Sequence, residues 1–144
     1  MAIPKWLLEK SPEKLKSKFL DSSPKAKRIL SDLREKRVAD GIGGKVVPGS
    51  GCSLFAKGDI KDVQYDALLL EQKGTEGRGI RVEYDWIRKI TKEAMAVNRI
   101  PGLVLSFDLA LSPTDPVKPP PDWCMLPLQF VKELLEAKYG TKPV

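Results

Sequence analysis

AKGDIKDVQYDALLLEQKG, residues 56–74, is the stretch on which the fold of this chain turns. Residues 67–70 form a short apolar run of the kind that fills the middle of a sheet, and it breaks off in Glu71-Gln72-Lys73. Side chains alternate along a strand, so Glu71 and Lys73 share one face while Gln72 points to the other. Residues 59–64 read as a second strand. A turn near Tyr65-Asp66 would pair the two antiparallel and bring Asp59 near Glu71. Two carboxylates in contact repel each other unless a cation lies with them, and Mg2+ suits such a pair because it takes carboxylate oxygens while keeping several waters. A strand end that simply reaches water would carry the same charges. Both readings are open from these residues alone.

The flanking sequence supplies the rest of an α/β pattern. Ser23-Pro24 starts a helix running to about Asp40, with Ala26, Ile29, Leu30 and Leu33 in one stripe and Glu35, Val38 and Ala39 on a different one. The glycines of GIGG at 41–44 end it, and 45–47 is a short strand before the loop PGSGCS. After the run at 67–73 come the glycine-rich GTEGRG and a brief extension of the sheet at 80–82. An amphipathic helix follows at 84–98, with Ile87, Ile90, Ala94 and Val97 inward and Arg88, Lys89 and Lys92 outward. Residues 102–107 are a buried strand, 108–122 a proline-rich loop, and 128–139 a closing helix. The order is helix, three strands, helix, strand, helix, which predicts a small mixed β-sheet flanked by helices. Residues 1–22 stand apart as a basic arm with a helix start at Ser11-Pro12-Glu13, leaving 23–144 as a single domain.

Composition narrows the chemistry. The chain has 144 residues, enough for one core, and lacks histidine altogether. Histidine triads and histidine acid/base catalysis are therefore excluded, and two cysteines without CxxC spacing make a structural zinc site or a disulfide framework a poor fit. Chemistry here would run on carboxylates, lysine, hydroxyls or a hard metal ion. Residues 1–45 hold 12 Lys/Arg against 6 Asp/Glu, whereas 46–144 hold 13 of each, so the net charge of +6 sits wholly in the N-terminal third. Such a region suits a polyanion. No stretch resembles a secretory leader or a membrane span, so a soluble cytoplasmic protein without a membrane partner is expected. Few Asn and Gln beside 12 prolines and 31% charged residues fit a thermophilic source.

With Asp59 and Glu71-Gln72-Lys73 in place, the segments EKRVAD, GGKVVPGSG, KGD, LLEQKGT, IRVEYDWIRKITKEA and PGLVLSF together resemble archaeal-type and bacteriophage Holliday junction resolvases of the PD-(D/E)XK nuclease superfamily. The resemblance covers about residues 35–107. It implies a restriction-endonuclease-like core in which Asp59 and Glu71 are metal ligands and Lys73 is the catalytic lysine. Glu35 on the preceding helix would be a further acid that helps bind metal or water, and the backbone carbonyl of Gln72 would complete the ligand set. Ser50 would serve as the site serine before the motif. Ser50, Gly51, Ser53, Lys57, Thr75, Arg78, Lys25, Lys27 and Arg28 would contact DNA. The chain departs from the family pattern by carrying Gly58, not proline, before the aspartate.

The implied activity is Mg2+-dependent cutting of four-way DNA junctions in recombination and repair, with Mn2+ able to substitute. Paired symmetric nicks call for a homodimer. Recognition would use phosphate positions and branch shape, not base edges. Another PD-(D/E)XK endonuclease and a non-catalytic basic nucleic-acid-binding module are the alternatives.

Overall fold

Leu69 and Leu70 go to opposite sides of one strand, and each is the seed of a separate apolar cluster. The computed structural model describes residues 24–47, 58–141 and 143. Its elements are α1 (Pro24–Ile42), β1 (Gly44–Val46), β2 (Ile60–Asp62), β3 (Leu68–Thr75), α2 (Tyr84–Ala96), β4 (Ile100–Phe107), a short 3-10 helix (Asp108–Leu111), β5 (Asp122–Met125) and α3 (Leu128–Tyr139). The strands form one five-stranded sheet in chain order. β1–β2, β2–β3 and β4–β5 pair antiparallel, whereas β3 and β4 run parallel with α2 as their crossover. This is an α/β fold with a mixed sheet and three helices among the described residues. None of those helices is long and apolar enough to cross a membrane.

β3 is central, hydrogen-bonded on both edges, and its leucines divide the core. Leu70 joins Val38 and Ala39 of α1 with Ile60 and Val104. Leu69 joins Ile90 and Ala94 of α2 with Leu103, and Trp86 packs against that group. The sheet is thus covered by α1 on one face and α2 on the other, and β3 is apolar on both sides because both faces are roofed.

Several sequence expectations change. Residues 80–82 form no strand. The inward stripe of α2 is Trp86, Ile90 and Ala94, at four-residue spacing, while Ile87 and Val97 are exposed. Ile90 and Ala94 thus lie inward as expected, and the stripe is continued by Trp86 one turn earlier, not by Ile87 and Val97. The segment 108–122 is not all loop. It opens with the 3-10 helix, and Asp122 begins the fifth strand, which the proline-rich flank concealed. α3 has the bounds expected of it but buries no residue.

Two arginines on α1 tie the helix to the far end of the sheet. Arg34 donates to Asp108 from Nε (3.1 Å) and Nη2 (2.5 Å), and Arg37 donates to Asp122 from Nε (2.7 Å) and Nη2 (2.6 Å). Both are two-pronged guanidinium–carboxylate pairs, the strongest geometry available to such groups. Gly74 makes room for this arrangement, since a Cβ there would stand 2.5 Å from Arg34 Cδ.

The β2–β3 turn is held by Asp62, whose carboxylate accepts the N–H groups of Tyr65 (3.0 Å), Ala67 (2.8 Å) and Leu68 (2.5 Å). Arg99 Nη1 lies 3.5 Å from the same carboxylate, and Asp66 adopts a left-handed conformation at φ 55°. Burial by itself would raise the Asp62 pKa, but the three N–H donors and Arg99 outweigh it and hold the carboxyl below its ordinary value. Asp62→Ala strands those part-buried donors and the paired Arg99, so a loss of about 2 kcal/mol in denaturant unfolding is expected at neutral pH. The Asp62 contribution is present above the ordinary aspartate range and fades as pH falls through the lowered value, so native and variant stabilities should converge in acid.

Candidate active site

The site lies where β3 leaves the core beneath α2. Glu71 follows the buried leucines and is only 7% exposed, because a rigid, doubly paired strand carries it there. Its Oε1 faces two ammonium groups, Lys73 Nζ at 3.4 Å and Lys89 Nζ at 3.5 Å. Its Oε2 is buried and has no hydrogen-bond partner among the described residues. Burial first, then Asp59, pushes the Glu71 carboxyl above its ordinary pKa, and the two lysines offset only part of this.

Asp59 is placed immediately before β2, not within a strand as its sequence position suggested. Its N–H donates to the carbonyl of Leu70 (2.9 Å), the residue paired with Ile60, so two consecutive residues address one partner at the strand's mouth. An extra residue of this kind re-aims a side chain. The Asp59 carboxylate accordingly turns onto β3 and accepts the N–H of Gln72 (2.7 Å), which seats it beside Glu71. Gly58 makes the approach possible. Its φ is 72°, and its N–H donates to Glu93 Oε2 of α2 at 2.9 Å. Proline, fixed near φ −65° and lacking an N–H, can do neither, so the glycine before the aspartate is a conformational requirement.

Glu35 projects from α1 and is electrostatically coupled to the pair. Burial, then Asp59, Asp32 and Glu71, push its pKa up to about 7. The three-carboxylate ligand set expected of Glu35, Asp59 and Glu71 is nevertheless not assembled. Among the described residues no three Asp, Glu, His or Cys side chains stand close enough to cage an ion. What the structure brings together is the pair Asp59 and Glu71, with Glu35 as an outer acid. That donor set fits Mg2+, which needs one or two carboxylates and retains waters, and the partnerless Glu71 Oε2 is an acceptor suited to it.

Gln72 points to the α1 face as expected. Its Nε2 donates to Ser106 Oγ (2.6 Å), and Ser106 Oγ donates to Asp122 Oδ1 (2.6 Å), the carboxylate gripped by Arg37. Gln72 Nε2 also donates to the Lys73 carbonyl at 3.1 Å. This chain of contacts pins the backbone of 71–73 from behind. Lys73 shares the Glu71 face, and its ammonium lies 4.5 Å from the centroid of the Trp86 ring.

Other expected residues are more scattered. Thr75 ends β3 and accepts the Gly77 N–H (3.0 Å), while Arg78 is exposed in the following turn. Lys25, Lys27 and Arg28 lie on the first turns of α1 and are exposed. Lys25 is ten residues from Glu35, about 15 Å along a helix axis. Ser50, Gly51, Ser53, Lys57 and the arm 1–22 lie outside the described residues. Lys89, Glu93 and Trp86 were missed as site residues. Lys89 and Glu93 each stand one residue before the inward Ile90 and Ala94, at the margin of the stripe.

No protein-family model matches this chain, and neither a curated protein nor a solved structure is significantly similar to it.

A carboxyl that holds its proton more tightly when folded makes folding progressively less favourable as pH rises from its ordinary 4.5 to about 7, the range set by Glu35. Glu35→Gln should therefore raise the melting temperature at pH 8 and leave it near native at pH 5. Equal effects at both pH values in thermal melts would contradict this coupling.

Proposed function

We propose that this protein is a divalent-metal-dependent endonuclease with a PD-(D/E)XK core that resolves four-way DNA junctions, acting as a homodimer that makes paired symmetric nicks. The observation that carries the reading is the meeting of Asp59 with Glu71 and Lys73 at the mouth of neighbouring strands, with one buried Glu71 oxygen lacking a partner among the described residues. A passive binding surface has little use for a buried, partly compensated carboxylate, which repels phosphate and costs stability. The order helix, three antiparallel strands, helix, parallel strand also suits such a core.

In this reading Asp59, Glu71 and the Gln72 carbonyl hold the cation, and Glu35 orients water at its margin. A divalent cation bound there would polarise the scissile phosphate and lower the pKa of a coordinated water, the chemistry needed to leave a 5′-phosphate and a 3′-hydroxyl. The residues themselves position and balance charge. Lys73, steadied between Glu71 and the Trp86 ring, presents its ammonium to the attacking water or to charge building on the phosphate. Asp59 keeps its orientation through the Gln72 N–H. The exposed Lys25, Lys27 and Arg28 suit phosphates further along an arm of the junction.

The direct test is cleavage of a labelled four-way junction, a linear duplex and a flap by the native chain and by Glu71→Ala, with Mg2+ and with chelator. Junction cutting that needs Mg2+ and drops at least about a thousandfold in Glu71→Ala is expected, a size typical of losing a principal charge-stabilising group. Preference for linear duplex would keep the nuclease and remove the resolvase. Metal-independent behaviour identical in both proteins would leave a binding module. Junction affinity should also fall steeply with salt, and a log–log slope near zero would contradict phosphate-based recognition.

A further inference from the structure

We propose that Lys89 is a resident counter-ion of Glu71 that a divalent cation must displace, so that the chain itself limits how tightly its site holds metal. The inference rests on the metallonuclease reading above and concerns a residue to which that mechanism gives no role.

The two lysines on Glu71 Oε1 differ in how they are held. Lys73 comes from the same strand, its side chain is 29% exposed, and the Trp86 ring lies against its ammonium. Lys89 reaches down from α2 with a side chain 56% exposed, and its Nζ is divided between Glu71 Oε1 at 3.5 Å and Glu93 Oε1 at 3.6 Å. Glu93 is fixed, because its other oxygen accepts the Gly58 N–H at 2.9 Å. Lys89 therefore has one stationary carboxylate on its own helix, four residues on, and one carboxylate in the site. Lysine is a compact charge on a flexible stem, able to move between such partners without unfolding anything.

A dication on Glu71 and Asp59 would repel an ammonium at this distance from the same oxygen. Lys89 then has somewhere to go, onto Glu93 or into solvent. Before metal arrives it offsets part of the repulsion between Glu71 and Asp59, which lets the acids stay together in the folded chain. Glu35, Asp59, Glu71, Glu93, Lys73 and Lys89 are the charged groups involved, and of these Lys89 alone combines high exposure with an alternative partner already in contact.

The test measures metal binding, independent of turnover. Mn2+ would be titrated calorimetrically into the full native chain, Lys89→Met, Lys89→Arg and Lys92→Met, the last an exposed lysine of the same helix. Lys89→Met should bind Mn2+ about tenfold more tightly, the scale expected when one nearby like charge is removed from a partly exposed site. Lys89→Arg should keep native affinity, and Lys92→Met should stay within about twofold of it. In thermal melts Lys89→Met should be no more stable than native without metal, yet gain more from added Mn2+. If Lys89→Met fails to fold, Lys89→Gln replaces it. Unchanged or weaker Mn2+ binding in the Lys89 variant, with native binding and cleavage intact, overturns this proposal alone. Absence of Mn2+ binding by the native chain overturns both it and the metallonuclease reading.

Discussion

A carboxylate buried with only one of its oxygens compensated among the described residues is the constraint around which this fold is arranged. Glu71 sits within the central strand β3, and a charge in that position is tolerated only if the surroundings return what water would have given it. Two lysines return part, on one oxygen. The pKa remains raised because burial and Asp59 still dominate. The deficit that is left is a localised preference for positive charge, built into the folded chain before any ligand is considered.

The site owes its geometry to packing on both faces of β3. On the α2 side, Ile90 and Ala94 must seat against Leu69 and Leu103, and that contact alone decides where Lys89, Glu93 and Trp86 come down. On the α1 side, Gln72 is bonded to Ser106, Ser106 to Asp122, and Asp122 to Arg37. The backbone of 71–73 is thus clamped between an apolar contact and a polar chain. A metal or phosphate site needs its donors held to within a fraction of an ångström, and a central strand braced from both sides provides this better than a loop would.

How far the sequence disclosed this depends on what kind of signal each part leaves. The apolar run at 67–70, its polar stop and the Tyr65-Asp66 turn are local patterns, and the strand, the shared face of Glu71 and Lys73, and the antiparallel pairing were legible from them. The bounds of α3, residues 128–139, were legible as well. β5 was not, because four residues after a proline-rich stretch carry no periodicity of their own and pair only because β4 offers an edge. Ile90 and Ala94 of the α2 stripe were legible and Trp86 was not, and Lys89, read as outward, gave no local sign that its ammonium reaches Glu71. Arg37–Asp122 and Arg34–Asp108 join residues 85 and 74 positions apart, and no local rule could pair them. The pairing of Gly58 with a left-handed φ shows the reverse case, in which a departure from an expected proline had a legible cause that only the backbone could reveal.

The distribution of charge joins these strands of argument. The surplus of lysine and arginine belongs to residues 1–45, while Asp59, Glu71 and Glu93 lie in the charge-balanced remainder of the chain. Were the basic residues interleaved with Asp59 and Glu71, they would neutralise the acids and leave nothing for a cation to complete. In sequence the two are separate, the basic surplus before residue 46 and the carboxylates Asp59 and Glu71 after it. Lys89 stands beside those acids. It stands on the rim, close enough to quiet Glu71 in the free protein and loosely enough held to withdraw. Such a residue keeps an acidic cleft folded without closing it, the compromise that a buried carboxylate pair demands of any chain that is to remain stable before its ligand arrives.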